Sequence, residues 1–412
     1  MANTINTVKD GPGLFAKGVA QRLRDNLKFC GFVDQADPSE FDGKNQFKAG
    51  DTIYTSIPTR KIAQRDNLDI TSKNKDVTEE KAPLVLNKTA TDADEFDSLE
   101  LATDVDVANA LKRFGMPAAD TLAHEIESRC MEIASDATYN FTGTAGSNAF
   151  AISDVLAAKT ALDESLCPMG DRMLFMNSRS GAEAVDARKG LFQSSEEIAK
   201  QYRDGYIGRA DGFDWVETQL VPTHTNGSDM DPAAVNDAAV AEGASTLAFD
   251  GLGAGTDTIK KGTVFTIAGV NKVHPITKAD LGVLQQFVVT ADVTASGGAG
   301  TMSISPSIYA GSEGLQNVTA LPADDAVITF GTGSADTTYT QNLALHKSAF
   351  KMVTVPMYQP RGVDLVASET VDGITVNIVR DYEQNTRKII TRYDVLYAFD
   401  PVRPEWSTRL TA

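Results

Sequence analysis

Apolar residues return in different rhythms along this 412-residue chain, and each rhythm predicts a different element. Phe15, Val19, Leu23 and Leu27 recur every fourth position behind Pro12, a residue suited to a first helical turn, and predict one amphipathic helix in an N-terminal arm of residues 1–44. A single short helix cannot bury such a stripe unaided, so a neighbouring subunit or the rest of the same chain must cover it. From Gly50 the period drops to two: Ile53 and Ile57 alternate with Tyr54 and Ser56, and Ala82–Lys88 supplies a return strand, predicting a long hairpin over 45–88. Its tip, with Arg60, Lys61, Arg65, Asp66 and Asp69 among many charges, cannot form a core. Beyond Gly115 and Pro117, Leu122, Ile126, Cys130, Ile133 and Ala137 follow at steps of four, four, three and four. They predict a helix from Pro117 towards Tyr139, roughly 35 Å long with one buried face. A shorter helix is expected around Val105–Phe114, and the polar stretch Asn140–Asn148 ends this region of residues 89–150.

From residue 151 the pattern mixes both periods. Met173–Met176 reads as a buried strand, Ser178 and Ser180 are candidate caps for the helix after it, and Gly205, Gly208 and Gly212 punctuate turns before Phe213 and Trp215. The clearest boundary comes from charge: no Lys or Arg stands between Lys278 and Lys347. Gly, Ala, Ser, Thr and Val dominate there, with alternating runs at Gly262–Val270 and Leu284–Val293. These features predict an inserted, mostly β domain over 223–345, with a helix only near Pro232–Glu242. The surrounding domain, begun at 151–222, then resumes over 346–412 with three strand candidates, FKMVTVPM, GITVNIVRD and RKIITRYDVLYAF.

Composition narrows what such a chain can do. It is 42% hydrophobic and 23% charged, ordinary for a soluble globular protein, with a formal net charge of −18. That charge opposes tight, sequence-independent binding to nucleic acid, which requires clustered Lys and Arg. Cys30, Cys130 and Cys167 are odd in number and far apart, as expected of buried free thiols and not of a disulfide framework or a metal knuckle. The first residues lack a signal-peptide core, and no segment approaches the roughly 20 apolar residues of a membrane span, so the expectation is a cytosolic chain without membrane contact.

Catalytic motifs fail on spacing. His124-Glu125 opens like a zincin helix, but Ser128 stands where the second histidine would fall. Gly251–Gly255 is not followed by Gly-Lys-Ser/Thr and misses the dinucleotide fingerprint. Ser178 and Ser180 lack a nucleophile elbow, and His124, His224, His274 and His346 have no local triad partner. The carboxylates of Asp92–Asp97, and Asp229 with Asp231, lack the ligand spacing of a calcium loop. No catalytic residue, metal or cofactor is expected.

Three segments carry a resemblance. CPMGDRMLFMNSRSGAEAVDARKGLFQSSEEIAKQYRDGYIGRADGFDWVETQLVPT (Cys167–Thr223), KGTVFTIAGVNKVHPITK (Lys261–Lys278) and RYDVLYAFDPVRPE (Arg392–Glu405) resemble the coat proteins of short-tailed Salmonella-type phages. The resemblance implies an α+β, HK97-like phage capsid fold with N-arm, extended loop, peripheral domain with spine helix, and axial domain, carrying the inserted β-rich domain. It implies a major capsid protein that self-assembles as hexamers and pentamers into an icosahedral shell around double-stranded DNA. A scaffolding protein and a portal would be its assembly partners, the host cytoplasm its place of assembly and the virion capsid its destination. Phe15, Val19, Leu23 and Leu27 of the arm, with Tyr54, Arg60, Lys61 and Arg65 of the extended loop, are then the candidate intersubunit contacts. Two other readings stay open: a cargo-enclosing nanocompartment shell sharing the fold, and a soluble β-rich binding module or adhesin suggested by the Gly/Ser/Thr-rich stretch Thr290–Ser307.

Overall fold

The computed structural model describes residues 11–35, 50–57, 80–97, 114–146, 151–188, 208–253, 255, 257–311, 315–331 and 333–411. The hairpin tip, Gly205 and residues 105–113 of the expected shorter helix lie outside them. The chain divides into two compact units, the first comprising Met1–Thr55, Ala82–Cys130 and Phe350–Asp400, the second Ser56–Lys81, Met131–Ala349 and Pro401–Ala412.

In the first unit the N-terminal helix spans Gly11–Asn26 and packs against the strands Leu365–Val371 and Ile374–Glu383. Those strands belong to a six-stranded sheet whose spine is the strand Lys388–Pro401. Residues 393–399 of that spine are buried without alternation, as in a strand covered on both faces. Lys88–Asp97 pairs antiparallel with Lys388–Tyr397 along its whole length. Asp92 and Asp94 therefore share one face of the strand, and Glu95 lies on the other. Phe350 and Phe399 stack at 5.5 Å, with Phe29 5.9 Å from Phe399. At the foot of the hairpin Thr52–Ile57 pairs with Glu80–Val85, and the Gly50 and Leu86 amides donate to Leu86 O and Asp51 O at 2.7 and 3.0 Å. Leu84 and Leu86 join Val353, Val355, Leu396 and Ala398 in one apolar cluster.

The long helix runs from Met116 to Ala137. Its buried line is Ala119, Leu122, Ala123, Ile126, Cys130, Met131 and Ala134, whereas Ile133 and Ala137, placed on that face from sequence, are only half-buried. Counted at about 100° per residue, Ile133 and Ala137 stay within about 60° of Leu122, so what covers the last turns, and not the period, decides their partial exposure.

The second unit holds a six-stranded mixed sheet in the order Phe141–Gly143, Ser407–Thr411, Asn342–His346, Arg172–Met176, Phe213–Glu217, Arg209–Ala210. The helices Ile152–Glu164 and Ser178–Arg188 contribute Val155, Ala158, Leu162 and Ala184 to a core with Leu174, Met176, Phe213 and Trp215. The cap of the second helix is Asn177, whose Oδ1 accepts the Arg179 amide at 3.0 Å. Ser178 is already helical, and the Ser180 hydroxyl accepts from Asn342 Nδ2 at 3.1 Å, so neither proposed serine caps.

The same unit contains a closed barrel, its strands ordered Ala233–Val235, Ala244–Asp250, Gly300–Ile308, Asp280–Val289, Val264–Val273, Val327–Phe330. Phe249, Phe265, Phe287, Met302, Ile304 and Ile328 fill it, with the Phe265 and Phe287 rings stacked 5.6 Å apart. Where a helix was expected near Pro232–Glu242, Ala233 and Val235 are instead buried strand positions closing the barrel between Val327–Phe330 and Ala244–Asp250, and turns follow. Thr223–Thr225 pairs with Thr338–Thr340, bringing the two ends of the insertion side by side. Two boundaries read from charge also move. Residues 342–345, assigned to the insertion, lie in the fully buried strand Asn342–His346 between Arg172–Met176 and Ser407–Thr411. Phe350–Asp400, assigned with 151–222, belongs to the first unit, and only the last residues return to the sheet containing Arg172–Met176. Charge marks solvent-facing positions, whereas strand pairing decides membership of a sheet.

Candidate assembly interface

The arm residues expected to touch a neighbour are occupied within the chain. Val19, Leu23 and Leu27 are buried, as are Ala16 and Ala20 on the same face, and the half-buried Phe15 ring lies 6.4 Å from that of Tyr393. This corrects the intersubunit assignment of the stripe: the two strands beneath the helix supply the apolar cover that a second subunit was thought to provide.

Polar contacts fix the helix in place. Arg22 grips Asp120 with two donors, Nε to Oδ1 at 2.7 Å and Nη2 to Oδ2 at 3.1 Å, and Asn26 Nδ2 donates to the same carboxylate. The Arg22 hydrogen bond holds the Asp120 carboxyl below its usual range. Just beyond, the Phe29 amide donates to Glu127 Oε1 at 2.7 Å, and burial pushes the Glu127 carboxyl up. Cys30 and Cys130 are fully buried free thiols, and burial raises Cys30 well above an ordinary thiol. Of the expected contacts among the described residues, Tyr54 is left open, at 65% exposure. Arg60, Lys61 and Arg65 lie outside those residues.

The insertion is attached by backbone as well as side chains. Gln286 of the barrel acts as a surrogate strand: its Oε1 accepts the Phe141 amide at 2.8 Å and its Nε2 donates to Phe141 O at 2.9 Å. Lys261 pairs with Asp136 at 2.9 Å, and Lys272 reaches Glu164 at 3.5 Å and Ser165 Oγ at 3.1 Å. Tyr139, Val264 and Val288 form a small apolar contact beside them.

A narrow cleft next to this attachment is lined by His224, Asn226, Thr263, Tyr339, Gln341 and Arg409 among others. Burial, then the charge of Arg409, pushes His224 down to about 4, and burial lowers Arg409 to about 10 against the pull of Asp136. Nothing in the run STRLT marks its arginine as buried, so sequence reading missed this cleft. The other histidines are dispersed: His124 is exposed on the long helix, His274 Nδ1 accepts two turn amides, and His346 packs edge-on against Trp406.

The class this architecture belongs to is the α+β, HK97-like capsid protein of tailed phages. The chain belongs to the family described as P22 coat protein, gene protein 5, whose model matches residues 15–410. It is accordingly a major capsid protein, and many copies of it form the virion shell. The nanocompartment and adhesin readings give way to this membership.

Among solved structures, a chain of Mycobacterium phage Che8 is 12% identical, with 93% of this chain and 90% of that one covered at a TM-score of 0.44. The capsid of Ralstonia phage GP4 is 7% identical, covering 92% and 87% at a TM-score of 0.45. The CUS-3 coat protein I-domain is 28% identical over 26% of this chain and 99% of its own length, at a TM-score of 0.19. No curated protein matches the sequence.

Proposed function

We propose that this capsid protein assembles as hexamers and pentamers around a scaffolding protein, with a portal at one vertex, into a precursor shell that later encloses double-stranded DNA. Assembly takes place in the host cytoplasm, and the subunit contributes contacts and no enzymatic activity. Membership of the coat protein family over nearly the whole chain carries this reading. The charge supports enclosure without sequence-specific binding: the segment 223–345 sets four lysines against twelve carboxylates, which disfavours the counterion release that drives DNA binding. The exposed Tyr54 and the charged tip beyond it are proposed as contacts between subunits, since Tyr combines large contact area with a polar end.

Co-expression with the scaffolding protein, followed by sedimentation and electron microscopy, tests this. Closed particles are expected, and Tyr54→Ala should lower their yield while leaving the unfolding transition of the free subunit unchanged. Folded protein that stays monomeric beside its scaffold would defeat the assembly reading.

A further inference from the structure

Arg409 is 1% exposed, and its Nε and Nη2 meet no acceptor among the described residues. An unneutralised buried guanidinium is costly, and its N–H groups demand acceptors. The nearest influential carboxylate, Asp136, is already engaged by Lys261 at 2.9 Å. No carboxylate is among the residues lining the cleft, and its histidine, His224, stays neutral at physiological pH. Arg409 thus shares the charge of Asp136 with Lys261 and has no hydrogen-bonded counterion of its own among the described residues. The size of the cleft suits a small occupant: the space open to a water-sized particle is about 20 Å³, room for about one water or small ion.

Gln341 adds an independent sign. It is 3% exposed, lines the same cleft, and its Oε1 also lacks a partner. Turning the amide through 180° exchanges oxygen for NH2 and presents donors to the occupant, an orientation that an anion selects. We propose that this cleft is a binding site for one monovalent anion of halide size, chloride in ordinary media, held by Arg409 and the turned Gln341 amide. The ion neutralises Arg409 where the strand Ser407–Thr411 passes the barrel attachment and so stabilises the second unit.

The test is thermal unfolding of the full chain, followed by tryptophan fluorescence, in sodium chloride and in sodium gluconate at equal ionic strength. Chloride should raise the midpoint by about 2 °C. Gln341→Glu places a carboxylate beside the guanidinium. It should abolish the chloride increment while keeping the gluconate midpoint at or above that of the wild type. Equal wild-type midpoints in the two salts would show that water suffices and overturn the proposal, as would an undiminished increment in Gln341→Glu. Should that variant not fold, chlorine NMR on the wild-type chain decides. Line broadening removed by bromide supports the site, and no broadening beyond that of the free ion rejects it.

Discussion

Leu23→Ala tests whether the N-terminal helix is part of the subunit core. Leu23 is fully buried, in line with Val19 and Leu27, over the strands Leu365–Val371 and Ile374–Glu383. Paired strands cannot collapse into the space left behind, so the loss should fall within the usual range of about 2–5 kcal/mol for a buried Leu→Ala change. The placement of natural probes makes this measurable. Both tryptophans, Trp215 and Trp406, lie in the second unit, whereas Cys30 and Cys130 are buried in the first, and Cys167 is in the second. Thiol labelling of the unassembled subunit under native conditions, resolved by peptide mapping, should therefore accelerate at Cys30 and Cys130. Where labelling follows the population of the open state, the factor is roughly 30 to several thousand. Cys167 labelling and tryptophan fluorescence should stay as in the wild type. If Leu23→Ala blocked particle formation with Cys30 labelling unchanged, the stripe would serve a neighbour and the argument from burial would fail.

Three further outcomes are expected. The depressed His224 pKa means the folded state binds fewer protons than the unfolded one, so stability is complete above about 6.5 and declines as pH falls towards about 4. The decline should amount to on the order of 3 kcal/mol, and denaturant titrations should show it reduced in His224→Gln. Gln286→Leu removes both bonds to the Phe141 backbone and should cost about 1–3 kcal/mol in the full chain, read by tryptophan fluorescence. A fragment spanning 223–341, without the Asn342–His346 strand, should give a β-type spectrum and one cooperative transition, because its core is closed by its own barrel; dispersed amide resonances would confirm it and a collapsed spectrum would refute it.

Local pattern was enough to determine the elements whose burial follows a simple period. The long helix begins and ends within two residues of its expected bounds, and the strands Phe350–Val355, Ile374–Glu383 and Lys388–Pro401 lie where alternating or continuous apolar runs placed them. The coat protein family was also readable, because its segments persist as residues in order along the chain. Tertiary structure decided what those elements touch. The Phe15–Leu27 stripe announced a buried face without naming its cover, since periodicity records that a side is apolar and contains nothing about which surface meets it. Ala233–Val235 is too short to show a period, and barrel closure alone makes it a strand. Most of Asn342–His346 looked like part of the basic-residue-free insertion until hydrogen bonding to Arg172–Met176 claimed it. Arg409 has the composition of a surface residue and is buried because partners from distant parts of the chain close over it, a fact that exists only once the chain has folded.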